Sequence, residues 1–312
     1  MVVELGGKVL SSRRKLLHWL GLGLGLALFV QQLWQAIQGF HGQGLSLNAP
    51  GWWLAAAAST VAGYALVMAA WLVLMRGQGF RLTYPAVVRG YALSFMPRYI
   101  PGSVWGYWSR SEWLKSRHDI PYARSALGSL IEVGLTVLSA IQMVAVHTAL
   151  ATGGAVLQLA AAGSFLLVPL LAWYAFHVIW AGLIHREPGA TWRSWRPAIP
   201  RRHWMAAYFG YLAMWVCYGL SLRLLEGILV AGAEGSLPGA ISSYSLSWLA
   251  GFAVVFVPAG LGVRETVLSG LLSSQSAALA GAAGALAVGT RVLMYLAELL
   301  WVCVGAIIHY PD

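Results

Sequence analysis

The chain carries repeated apolar runs of a length that only a bilayer explains, and further apolar stretches that proline and glycine break midway. A hydrocarbon core about 30 Å thick takes roughly 20 apolar residues of helix to cross. Runs of that length lie at about Leu16–Ile37, Trp52–Met75, Ala123–Ala149, Val156–Ile184, Trp204–Ala231 and Ala277–Ile308. None shows the period-two alternation of a membrane β-barrel. Only 10% of the residues are charged, against about a quarter in ordinary globular domains, and 59% are hydrophobic. The chain reads as an all-α polytopic membrane protein forming one integral membrane domain over residues 1–312.

The distribution of Lys and Arg sets an expected topology. Lys8, Arg13, Arg14 and Lys15 precede the first run, and the connection Gln38–Gly51 after it has no charge, which places the amino terminus in the cytoplasm. That run exceeds the roughly 7 to 15 residues of a signal-peptide core, so a retained span is expected. The most basic connection, with Arg186, Arg193, Arg196, Arg201 and Arg202, is expected on the cytoplasmic side, as is the carboxyl terminus. Pro169 is a candidate kink in the fourth run. The net charge of +10 follows from these clusters and not from a nucleic-acid surface. Cys217 and Cys303 fall inside expected spans and imply neither disulfide nor metal site.

Two segments are irregular. Tyr84–Trp108 is interrupted by Pro97 and by Pro101-Gly102, and basic residues lie on both sides of it, so it reads as a re-entrant hairpin. Leu237–Leu272 is broken by Pro258-Ala259-Gly260-Leu261-Gly262, followed by Arg264 and Glu265, and reads as a second hairpin entering from the opposite face. The result is six full spans and two oppositely oriented broken hairpins, one in each half (16–149 and 156–308). Inverted-repeat transporters show this pattern, with the binding site between the breaks.

Charges at membrane depth need partners or water, since even lenient scales put a central charge at about 2.5–3.5 kcal/mol. On this topology Arg98, Arg223, Arg264 and Arg291 lie there with Glu132, Glu226, Glu265 and Glu298, while Arg110, Lys115, Arg117 and Arg124 fall in the loop after the first hairpin. Expected pairs are Arg223 with Glu226, three apart on one helix face, and Arg291 with Glu298, seven apart on one stripe. Arg264 and Glu265 open a helix just after loosened glycine backbone, where N–H groups face an anion. Arginine forks match phosphate oxygens, so Arg98, Arg264 and Arg291 suit a phosphate-bearing headgroup, with the glutamates holding an amine or orienting the arginines. His18, His147, His177 and His185 are isolated and read as packing or interface residues, and no metal or cofactor is expected.

Two motifs give the chain a resemblance to the flippase-like membrane-domain family of lysylphosphatidylglycerol synthases. The first is Arg98-Tyr99-Ile100-Pro101-Gly102 with Trp105 and Arg110, followed by Glu132 in the next span. The second is Pro258-Ala259-Gly260-Leu261-Gly262-Val263-Arg264-Glu265, with Arg291 in the final span. Ser103, Val104, Trp105 and Gly106 stand where many relatives carry an arginine and an acid after the first Pro-Gly. The resemblance implies movement between leaflets of a membrane phospholipid, such as an aminoacylated one, or of a polyprenyl-phosphate-linked sugar. The soluble aminoacyl-transferase domain is lacking, so synthesis is not implied. Two rivals are an intramembrane enzyme using Glu265 or Glu132 as general base, and a non-transporting scaffold for a membrane glycosyltransferase. The enzyme has little in its favour: no nucleophile and base are set by spacing, and no nucleotide-binding segment is present.

Overall fold

A computed structural model describes residues 50–99, 105–186, 199–230, 235–255 and 257–308, with isolated helical positions at 27, 30, 31 and 34. The first expected span, Leu16–Ile37, lies almost wholly outside the described residues, as do Pro101, Gly102 and Glu234.

Among the described residues nine α-helices run between Pro50 and Ile307 and no strand occurs. They are α1 Pro50–Gly77, α2 Tyr84–Phe95, α3 Trp105–His118, α4 Tyr122–Thr152, α5 Ala155–Arg186, α6 Arg201–Leu229, α7 Leu237–Ala253, α8 Val263–Gln275 and α9 Ala277–Ile307. Five of them, α1, α4, α5, α6 and α9, are long and apolar enough to cross a membrane. Each matches one of the expected spans, with ends displaced by a few residues.

The other four helices form the two broken segments. Thr83 caps α2 by accepting from the Ala86 amide, and Ser236 caps α7 by accepting from the Gly239 amide at 3.1 Å. A proline in the first turn of each adds a φ already suited to a helix. Short 3-10 turns at Pro97–Tyr99 and Pro258–Gly260 end the first arms. The second arm of the first hairpin differs from expectation. It runs to His118 and carries Arg110, Lys115 and Arg117, which the charge rule assigned to a loop. Hydropathy stops at the first charges, whereas helix propensity does not: Lys and Arg are good helix formers and favour the last turn.

Packing joins the two halves crosswise. The two long helices α1 and α6 form the most extensive contact, the first hairpin arm α2 rests on α9, and the second hairpin arm α7 rests on α4. Small residues allow the close approaches. A Cβ on Gly63 would stand 2.5 Å from the Tyr218 ring, and one on Gly210 would stand 2.9 Å from Ala70. Ser59 donates to the Cys217 carbonyl at 2.7 Å, and Thr60 shares a 2.8 Å hydrogen bond with Ser221, so polar side chains also tie α1 to α6. Trp71, Trp215, Tyr208, Tyr211 and Phe95 fill the centre. In contrast, α5 lies at the periphery, running on through Pro169, with Leu159, Leu171 and Ile179 exposed, as a lipid-facing helix would have them.

Candidate functional site

The 3-10 turns of the two hairpins lie against one another. Beside them is a cavity of about 470 Å³ lined by residues from both hairpins and from α1, α4, α6 and α9. Arg98, Arg110, Glu132, Gly260, Arg264, Arg291 and Glu298 all line it. Residues 200 and more positions apart in the chain thus share one chamber that holds charged side chains inside an apolar bundle.

Each glutamate on this wall is held by an arginine and by one or two tyrosines. Glu132 accepts from Arg110 Nη2 at 2.5 Å and from the Tyr91 hydroxyl. Arg110 is 1% exposed, and its guanidinium donates to Ser129 at 2.9 Å and lies 4.5 Å from the ring centres of both Trp71 and Tyr91. Its charge is therefore met by a carboxylate and two π faces. Glu298 lies 3.2 Å from Arg98 Nη2 and accepts from Tyr64 at 2.5 Å and Tyr99 at 2.8 Å. Arg98 also sits 4.8 Å from the Phe95 ring centre.

The second break supplies the rest. Ala259 has φ 51°, Gly260 φ 65° and Gly262 φ 78°, so three residues of the motif are in left-handed backbone. For the alanine this costs about 1–2 kcal/mol. The Ala259 carbonyl, turned inward by that geometry, accepts from Arg291 Nη2 at 3.2 Å. Arg291 Nε donates to Tyr295 at 3.0 Å and lies 3.2 Å from Glu265. Because that N–H is directed at the tyrosine, both Glu265 oxygens are left without an aligned donor. Gly262 is the N-cap of α8, Pro258 is buried in the turn, and Glu265 stands behind Arg291, off the wall of the main cavity.

Arg264 differs from the other three arginines. No ion pair joins it to a carboxylate among the described residues, and its Nε is shielded from solvent without a hydrogen-bond partner. It lies over Trp248, 5.5 Å from the ring centre. Two glycines make its slot: a Cβ on Gly251 would fall 2.3 Å from Arg264 Cγ, and one on Gly260 would fall 2.9 Å from its Nε.

Three expectations are corrected. Arg291 pairs with Glu265 and not with Glu298, since seven residues of helix separate side chains by two turns, about 10 Å. Arg110, assigned to a loop by the charge rule, is among the largest fully buried side chains. Arg223 and Glu226 do pair, at 3.6 Å, but they do not line the cavity, so their adjacency on one helix face carried no information about this site. The tyrosines Tyr64 and Tyr91 and the platform residue Trp248 were missed, and only their placement in the bundle marks them; Tyr99 stood in the first motif without a role assigned to it.

A second hollow of about 420 Å³, walled by Trp105, Trp108, Leu130 and Val133, adjoins the cavity and shares Tyr107 and Val133 with it. Its walls are almost wholly apolar, and Leu130 is 69% exposed at its edge. No family model and no curated protein matches the chain.

Proposed function

We propose that this protein moves a lipid with a phosphate-bearing headgroup between the leaflets of the cytoplasmic membrane. The observation that carries the reading is a chamber lined by arginines and carboxylates, walled by the breaks of two helical hairpins inside an otherwise apolar bundle. Uncompensated backbone and charge at membrane depth are tolerated where they line a wet cavity, and such sites mark substrate paths. The arms α2, α3 and α8, at 12, 14 and 13 residues, extend about 18–21 Å, short of a bilayer core. They fit re-entrant hairpins entering from opposite faces. The crosswise contacts of α2 with α9 and α7 with α4 fit an inverted repeat, in which rocking of the halves would expose the chamber to each side in turn.

In this reading the headgroup enters the chamber while the acyl chains stay in hydrocarbon, following the apolar hollow beside Trp105 and Trp108. The resemblance to the lysylphosphatidylglycerol synthase membrane domains points the same way, and both termini then lie in the cytoplasm. No bond is made or broken.

Leaflet-resolved labelling of a fluorescent phospholipid in reconstituted vesicles tests the proposal. Arg264→Ala and Glu265→Ala are expected to abolish translocation while the protein still folds and inserts. Translocation at the wild-type rate in both variants would rule out this site.

A further inference from the structure

The charges of the chamber do not balance, and the imbalance narrows what it can hold. Arg98, Arg110 and Arg291 each have a carboxylate partner in Glu298, Glu132 and Glu265. Arg264 has none, which leaves one positive charge among the described residues of the site. The chain at 100–104 and at 256, next to these turns, contains no ionisable side chain and leaves that count unchanged.

A charge inside a low-dielectric chamber is costly unless it is matched, and a carboxylate that loses its arginine is left buried and unpaired. The three existing pairs therefore resist being recruited by a ligand. Glu132 and Glu298, the carboxylates on the cavity wall, each accept from both an arginine and a tyrosine, so neither is free to receive an ammonium group. What remains unmatched by a carboxylate is one guanidinium, its Nε shielded and without a partner, seated between two glycines over the Trp248 ring.

From this we infer that the chamber selects a lipid head of net charge minus one: a phosphodiester whose other substituent is uncharged, such as glycerol or a sugar, seated on Arg264. A pyrophosphate or phosphomonoester brings surplus negative charge that no further cation among the described residues of the chamber is free to meet. A zwitterionic or aminoacylated head brings a cation that neither carboxylate on the cavity wall is free to meet. Trp248, stacked on Phe252 at the cavity wall, lies beneath the Arg264 guanidinium and helps hold it there. The inference rests on the reading of the chamber as a lipid-headgroup site.

The test is isothermal titration of the purified full chain in micelles. The probes are dioctanoyl phosphatidylglycerol (net minus one), dioctanoyl phosphatidylcholine (net zero), farnesyl pyrophosphate, dioctanoylglycerol and dimethyl phosphate. Phosphatidylglycerol is expected to bind about tenfold or more tightly than phosphatidylcholine or the pyrophosphate. R264Q should remove that preference and R264K should keep part of it. E298Q, which releases Arg98 from its carboxylate, should shift preference toward the pyrophosphate.

Equal binding of phosphatidylcholine or pyrophosphate by the wild-type chain, or an undiminished preference in folded R264Q, would overturn the charge-matching inference and leave the lipid reading standing. Binding of dioctanoylglycerol as tight as that of phosphatidylglycerol would instead remove the phosphate site itself. Dimethyl phosphate binding as tightly as the lipid would point to a free phosphodiester and remove the lipid reading. If R264Q does not fold, the order of the probes on the wild type and on E298Q still decides.

Discussion

Replacing Arg110 by methionine tests whether the buried charge network holds the first hairpin in place. The variant keeps roughly the same volume but leaves Glu132, which is 7% exposed, with Tyr91 as its remaining strong donor. Removing one partner of a buried pair costs about 3–5 kcal/mol, because the other charge stays behind. Loss of the guanidinium over Trp71 and Tyr91 adds roughly 0.5–2 kcal/mol. Glu132→Leu, the opposite half of the pair, is expected to cost a similar about 3–5 kcal/mol. The double variant should be far milder, since well-packed apolar replacement of a buried pair is often neutral. Its residual cost is the Tyr91 hydroxyl without its acceptor, about 1–3 kcal/mol, with the lost guanidinium–ring contacts adding the same roughly 0.5–2 kcal/mol as in the single variant. The coupling energy is therefore expected to be about 3 kcal/mol or more, at or beyond the upper end of the usual 0.5–3 kcal/mol for neighbouring residues. Equilibrium unfolding in mixed micelles, followed by tryptophan fluorescence, measures all four states of the cycle. Single variants that each cost under about 1 kcal/mol, or a double variant equal to the sum of the singles, would refute the claim that this pair locks α3 to α4.

Three further outcomes are expected. Gly219→Ala puts a Cβ 2.3–2.8 Å from Ile241 atoms that include its backbone Cα and N, so α6 and α7 must separate. Unfolding in micelles should register a loss of about 1–3 kcal/mol, the usual cost of overpacking. Ala259→Gly relieves left-handed backbone and should raise stability by up to about 1 kcal/mol, read as a higher melting temperature. Replacing Arg223 and Glu226 together by Met and Leu should leave lipid translocation within about twofold of wild type, because removing both partners of a pair leaves no lone buried charge and this pair lies off the chamber. A large loss of transport there would extend the site beyond the central cavity.

The amino-acid sequence alone determined where helices form and where they cannot continue. Apolar runs of bilayer length have one solution for backbone hydrogen bonding in hydrocarbon, so α1, α4, α5, α6 and α9 fall within a few residues of the runs that predict them. Proline and glycine at Pro97 and at Pro258–Gly262 mark the two breaks for an equally local reason, the missing N–H and the left-handed backbone. The site is legible only as a set of charges that must find partners. Which partner each finds depends on three-dimensional reach: an ion pair requires about 4 Å, and the pairs Arg98–Glu298 and Arg110–Glu132 bridge 200 and 22 residues of chain. Spacing along one helix proposed Arg291 with Glu298, and tertiary packing gave each a different partner from a broken hairpin. That same packing left Arg264 without one among the described residues, because residues adjacent on a helix point about 100° apart and Glu265 turns away toward Arg291.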